Sequence, residues 1–369
     1  MDLELSDDQQ MLRDNIRTVL TGACPPSLVR AVHEGTSDYA ELWRQVVDLG
    51  WPALGIREEA GGVGLGFVEV ALLAEELGRA AAPGPLLATI SQFVPVLEEF
   101  DCIDLLAEVA EGRRSGSLAV AEGSSWGLHS ISTIAEVTAD GTRITGRKDA
   151  VLAGSQVDSF AVVARDRTSG QLGVYLVERS AATVIPTGVL EPTLGLADVV
   201  FDAAPAVVIA AADVEEALER VLQQATTAMT LHIVGACRRV FELTLDYAKI
   251  RVQYDRVIGS FQALKHRFAD MYLMVEKANA LGYFAAVAIA EDDPRRAEAS
   301  HMAKATAGEC QRLLVEDGLQ LHGGIGYTWE NDLHFWLKRA KAGELLCGSS
   351  LHHRSQLAAA LGLISEVNV

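Results

Sequence analysis

The feature that most constrains the fold is a change of texture along the chain. Residues 116 to about 210 are rich in valine, threonine, isoleucine and glycine, and apolar positions recur at a spacing near two. On both sides the spacing is helical. Before it, Ser6 and Gln9 have the spacing of a capping box ahead of Met11, Leu12 and Ile16. Leu42, Trp43, Val46, Val47 and Leu49 form a stripe that ends at Gly50, and Val68 to Ala80 form another. Gly61-Gly62-Val63-Gly64 is too rich in glycine for a helix and reads as a loop. In the central stretch, Ile134–Val137 and Arg143–Thr145 read as a hairpin around Asp140-Gly141, and Phe160–Ala164 with Leu172–Val177 as another. After it, Val214–Val252 has the length of one very long helix or two. Phe261–Ala290 and Pro294–His322 follow, separated by Asp292-Asp293-Pro294, and a last helical segment runs from about Asp332 to Leu361. The expected class is α+β. A helical domain (1–115) precedes a β-barrel or sandwich domain (116–212) and a four-helix-bundle domain (213–369).

Composition removes several functions. Fifty acidic against 31 basic residues give a net charge of −19, and no basic cluster exceeds two residues, so nucleic acid is not an expected partner. Five cysteines without CxxC spacing argue against a disulfide framework and a structural zinc site, and no metal is expected. The acidic start lacks a signal-peptide core, and no apolar run approaches the ~18 residues of a membrane span, so a cytoplasmic, membrane-free protein is expected. No strand–GxGxxG–helix unit or P-loop lysine is present, which excludes the usual dinucleotide and phosphate loops.

Four segments in a fixed order carry a resemblance. They are Leu54-Gly55-Ile56-Arg57-Glu58-Glu59-Ala60-Gly61-Gly62 with Glu75-Glu76-Leu77-Gly78-Arg79, and Gly146-Arg147-Lys148 through Gln156-Val157-Asp158. The third is Tyr247-Ala248-Lys249-Ile250-Arg251-Val252-Gln253-Tyr254 with Ile258-Gly259-Ser260-Phe261-Gln262. The fourth is Gln320-Leu321-His322-Gly323-Gly324-Ile325-Gly326-Tyr327-Thr328. With the domain order, they identify the chain as similar to the acyl-CoA dehydrogenases, a flavoenzyme family. The resemblance implies FAD, an acyl-CoA substrate, a tetrameric assembly and an electron-transfer flavoprotein as electron acceptor. It implies that Arg251 meets the FAD pyrophosphate across a subunit interface and that Gln262 meets the adenosine half. Gln320, Gly323 and Gly324 resemble the segment that a neighbouring subunit brings to the cofactor. Gln253, Phe261 and Ser349 are carried over to cofactor binding in the same way. The implied reaction is α,β-dehydrogenation, in which a glutamate removes the α-proton and flavin takes the β-hydride.

The sequence departs from that pattern at the base. The usual glutamate position holds Cys347, and the alternative position, on a helix ten residues before Gly235, holds Ala225. A thiol is a poor substitute and alanine accepts no proton. Of the other ionisable groups, His232 lies two helical turns beyond Ala225 on the same face. The flavin-contacting Thr-Glu-Pro reads Ala121-Glu122-Gly123, Trp-x-Thr reads Ala150-Val151-Leu152, and Phe-Gly reads Tyr254-Asp255. Trp329-Glu330 continue the family layout. Lys338, Arg339 and Lys341 read as cations near a helix end, suited to the macrodipole or to ligand phosphates. Two readings stay open. The chain dehydrogenates acyl-CoA as a subunit of a homo- or hetero-oligomer, or it is a non-catalytic partner of a glutamate-bearing paralogue, in the α2β2 pairing of actinobacterial relatives that act on steroid-type or bulky acyl-CoA.

Overall fold

The computed structural model describes residues 4–139 and 141–364. The helices α1 (Asp7–Ala23), α2 (Pro26–His33), α3 (Ala40–Asp48), α4 (Phe67–Ala80), α5 (Leu86–Ala88), α6 (Val94–Glu99) and α7 (Ile103–Ala110) come first. The strands β1 (Gly116–Ala119), β2 (Ile134–Thr138), β3 (Gly141–Val151), β4 (Ser159–Asp166), β5 (Leu172–Glu178), β6 (Thr183–Pro186) and β7 (Ala197–Ala210) follow. The chain continues through α8 (Glu215–Ile250), the short strands β8 (Val252–Gln253) and β9 (Arg256–Val257), and α9 (Gln262–Ala290). It then forms α10 (Arg296–His322), α11 (Leu333–Leu345) and α12 (Ser350–Ala360). Two compact units form, each from separate stretches. One holds Asp38–Val70 and Pro83–Ala225. The other holds residues 4–37, Ala71–Ala82 and residues 226–364.

The first unit is built on a closed sheet. β4 pairs antiparallel with β5 along one edge and in parallel with β1 and then β2 along the other. β2–β3, β3–β7 and β7–β5 are antiparallel, so the path returns to β4, and β6 adds to β7. Both expected hairpins are present. Thr138 faces Gly141 at the end of the first, where Asp140 lies outside the described residues, and Arg165 faces Leu172 in the second. Closure leaves fewer bare strand edges than an open sheet would have. β3 keeps the period-two signal because one face is solvated, with Thr142 and Ile144 buried between exposed neighbours. β4 is buried from Ser159 to Ala164, which is why Phe160-Ala161-Val162-Val163-Ala164 reads as an unbroken apolar run. Phe93, Val96, Leu97, Leu106 and Val109 share one apolar core with Leu118, Ala161, Val163 and Val174.

One buried ion pair sits in this unit. Lys148 Nζ lies 2.7 Å from a carboxylate oxygen of Glu122, with the lysine side chain fully buried. Glu122 also accepts from the backbone N–H groups of Ser132 and Thr133 and from both hydroxyls. Burial alone would raise its pKa. The hydrogen bonds from Lys148, Ser132 and Thr133 outweigh that and hold the carboxyl down to about 2.

The second unit is helical. The capping box at α1 is made in full by Ser6 and Gln9. α8 resolves the choice left by the sequence: it is one helix of 36 residues. α9 and α10 pack through Ala285, Ala288, Ala299 and Ala303, whose small side chains permit close approach. Among the described helices, α9 alone has the length and apolarity of a membrane span, and 44% of that window is buried inside the protein. α4 and α8 cross still closer. A Cβ at Gly78 would stand 1.9 Å from the carbonyl oxygen of His232, and one at Gly235 would stand 1.9 Å from that of Glu75. The expected single helix from Asp332 to Leu361 is a correction. The chain breaks between α11 and α12, where Cys347 (φ 57°) and Gly348 (φ 92°) both turn left-handed. Ser349 then starts α12 by accepting from the His352 N–H.

Two outcomes follow. Gly235→Ala lowers stability by about 2–3 kcal/mol through overpacking, whereas Gly22→Ala in α1, which meets nothing within 4 Å, raises it by about 0.5–1 kcal/mol; urea midpoints at fixed pH compare them. Glu122→Gln costs about 3 kcal/mol at neutral pH by leaving the buried Lys148 ammonium without a counter-ion, although it still donates to the Val120 carbonyl. The Glu122 contribution is complete above its ordinary pKa of 4.5 and drains as pH falls toward about 2. The gap between wild type and Glu122→Gln therefore narrows across that window in urea melts taken at stepped pH.

Candidate functional site

The two positions where a base is expected carry none. Cys347 lies in the turn between α11 and α12, 5% exposed, and burial pushes its thiol up to about 11 although the Lys304 charge works the other way. It is protonated at neutral pH. Ala225 is buried on α8 and offers only a methyl group. His232, also on α8, is buried with its Nδ1 3.2 Å from the Ala74 carbonyl oxygen, to which it donates, so Nε2 carries the lone pair. Arg339 Nη1 lies 3.3 Å from Nε2 and occupies that lone pair. Burial and the Arg339 charge push the His232 pKa down to about 3. No lone pair of His232 is left for a substrate.

The Cys347 turn is nonetheless tightly held, and of the groups that hold it the sequence reading singled out Lys341 but not Lys304, His353 or Glu344. Lys304, buried on α10, donates from Nζ to the carbonyls of Glu344 (2.9 Å) and Gly348 (2.7 Å). His353 Nε2 donates to the Cys347 carbonyl at 2.7 Å, and its Nδ1 faces His301 Nδ1 at 2.8 Å. The Glu344 carboxylate accepts from Ser350 N–H and Lys341. The one available signal was a lysine set among alanines in Ala303-Lys304-Ala305, which is costly unless the ammonium finds acceptors.

Most of the residues expected at a cofactor gather at one end of the helical unit. Tyr247, near the end of α8, stacks on His322, the last residue of α10, with centroids 4.6 Å apart and planes at 14°. The two helices therefore finish side by side. Four residues past Tyr247, Arg251 is exposed, and among the described residues its guanidinium has no hydrogen-bond or ion-pair partner. Tyr254 (φ 54°) and Asp255 (φ 60°) turn the chain between β8 and β9, in the conformation that the family's glycine takes easily. Gln253 and Gln262 are exposed, the latter as the first residue of α9, and Phe261 precedes it with the Arg256 guanidinium 4.0 Å from its ring centroid. On the α10 side, Gln320 is exposed. Gly323 has φ 63° and ψ −145°, a region that glycine alone occupies at low cost. Gly324 has no such constraint, and a Cβ there would meet nothing within 4 Å. The chain's own packing does not require that glycine. An unpaired cation beside an open, side-chain-free backbone fits the diphosphate of a dinucleotide. Ser349 is apart from this group, as the cap of α12.

The barrel unit offers less. Ala121 and Leu152 are buried apolar side chains where the family has hydroxyls, and Glu122 is committed to Lys148, Ser132 and Thr133. The cation group near a helix end is corrected in part. Arg339 lies inside α11, fully buried, and donates to the Ala81 and Ala82 carbonyls just past α4, so the helix end that it serves is not its own.

Known proteins resemble this chain over most of its length. Residues 214–362 match the model of the acyl-CoA dehydrogenase C-terminal domain, and residues 6–100 match that of the N-terminal domain. The chain is 32% identical over 349 residues to acyl-CoA dehydrogenase IpdE2 of Mycobacterium tuberculosis, covering 93% of this chain and 94% of that one. Among solved structures, a variant of the Tcur3481–Tcur3483 steroid ACAD superposes with a TM-score of 0.86 at 27% identity, over 97% of this chain and 98% of that one. The ChsE4–ChsE5 complex from Mycobacterium tuberculosis superposes with a TM-score of 0.87 at 26% identity, over 99% of this chain and 100% of that one. The chain belongs to the acyl-CoA dehydrogenase family.

Proposed function

We propose that this chain is the base-less subunit of a heteromeric FAD-dependent acyl-CoA dehydrogenase. It lends Arg251, Gln253, Phe261, Gln262, Gln320, Gly323 and Gly324 to FAD seated in a glutamate-bearing paralogue. The observation that carries this reading is the asymmetry between the two ends of the site. The end suited to a diphosphate keeps a free cation and an open glycine. The catalytic end has a protonated thiol, a methyl group and a histidine whose lone pair is occupied. Relatives whose names pair two components, Tcur3481–Tcur3483 and ChsE4–ChsE5, support the same reading, and the steroid ACAD among them supports a bulky acyl-CoA substrate. The assembly works in the cytoplasm and passes electrons to an electron-transfer flavoprotein.

Bound FAD supplies the hydride acceptor of the dehydrogenation. This chain's contribution is electrostatic and positional. Arg251 neutralises a diphosphate, Gly323 and Gly324 let backbone approach it, and the partner's carboxylate removes the α-proton.

Three results test this. Purified alone, the chain shows no flavin absorbance; co-expressed with the paralogue, it yields an assembly with the flavin band. A stoichiometric flavin band from the chain alone, bleached by acyl-CoA, would overturn the reading. Arg251→Gln in the assembly lowers FAD affinity about 10- to 100-fold, the size of a lost charge-assisted hydrogen bond, as read by flavin fluorescence on dilution. Cys347→Ser changes the turnover of the assembly by less than twofold, whereas a thiol acting as base would make the loss large.

A further inference from the structure

The segment that carries Gly323 and Gly324 has little packing of its own. From Gly323 to Glu330 the only buried residue is Gly326. Its first end is fixed by the Tyr247–His322 stack. Its second end is fixed by α2, about 300 residues earlier in the chain. Arg30 on α2 donates from Nη2 to Asp332 at 2.5 Å and lies 3.6 Å from Glu34, one helical turn on. The same guanidinium sits 5.7 Å from the Trp329 ring centroid and 5.1 Å from that of Phe335. Glu34 accepts the Trp329 indole N–H at 2.8 Å. Trp329 also stacks on His334 at 4.5 Å, and Lys338 Nζ lies 4.9 Å from its ring. Trp329 is the residue that the sequence singled out and that the cofactor contacts leave without a role.

We infer that Arg30, with Glu34 and Trp329, is a positioning clamp for the Gly323–Gly324 loop. Arg30 does not touch the cofactor; it sets the end of the loop that does. A guanidinium suits this task because its planar fork can serve two carboxylates while its faces meet two aromatic rings. Lysine has the charge without the plane. The clamp matters because a loop that must be ordered on binding spends affinity on the ordering, whereas a loop held in advance does not. This inference rests on the reading that Gly323 and Gly324 face FAD, and the tests separate the two.

The experiment uses the chain co-expressed with the glutamate-bearing paralogue. Amide hydrogen exchange across 323–332 is compared in wild type, Arg30→Met, Arg30→Lys and Trp329→Phe, with α9 amides as the internal fold control. Expected is an increase of at least tenfold in loop exchange for Arg30→Met, a smaller increase for the other two, and no change in α9. FAD dissociation from the same assemblies is then expected to quicken at least fivefold in Arg30→Met. Unchanged loop exchange in Arg30→Met with intact α9 protection overturns the clamp. If Arg30→Met collapses α9 protection as well, Trp329→Phe, which removes the indole N–H donated to Glu34 and keeps an aromatic ring at 329, decides by the same loop readout. Faster loop exchange without faster FAD release, in an assembly where Arg251→Gln does weaken FAD, also overturns it. An assembly whose FAD is indifferent to Arg251→Gln overturns the cofactor-lending reading instead, and the exchange data still report on the clamp.

Discussion

Helices α4 and α8 cross with nothing between their backbones. Gly78 faces the carbonyl of His232 and Gly235 faces that of Glu75, so the contact is reciprocal and neither side has room for a methyl group. The consequences spread through the helical unit. Polar groups near such a crossing are cut off from water and must find partners in the protein. Glu75, buried, accepts from the Tyr283 hydroxyl on α9 at 2.6 Å and pairs with Arg238. His232 spans from the Ala74 carbonyl to Arg339. The carbonyls at the end of α4 are met by α11, with Trp336 donating to Arg79 and Arg339 to Ala81 and Ala82. α8, α9 and α11 are thus each bonded to α4 or to the residues just past its end.

Elements whose determinants are local were legible in the sequence. The capping box at Ser6 and Gln9, the stop at Gly50 and the hairpin turns each depend on a few neighbouring residues. The break at Cys347-Gly348-Ser349 was local too. A glycine followed by an N-cap serine is a helix-stop and helix-start signal, but the apolar pattern on both sides masked it. The roles of Arg339, His232 and Lys304 were not legible. Each depends on carbonyls far away in the chain or on another helix, and spacing along one helix carries no record of them.

The candidate site divides along the same line. Its cofactor end follows from motifs that are contiguous in sequence, at Arg251–Gln262 and Gln320–Gly324, and the structure adds the Tyr247–His322 stack that sets them side by side. Its catalytic end is defined by what has been replaced. Replacement is visible residue by residue, but whether a neighbour compensates is a question of distance and protonation. Here Lys304 spends its hydrogen bonds on main-chain carbonyls, and His353 is shared between the Cys347 carbonyl and His301.

Those bonds have a consequence for position 347. The turn from Leu346 to Ser349 is held by contacts to the backbone at 344, 347 and 348, and none of these bonds uses the side chain at 347. A catalytic residue can be lost at that position by a single substitution while the fold stays intact. A chain without a carboxylate there keeps the turn and the helices on either side of it, so loss of chemistry at this position does not entail loss of fold.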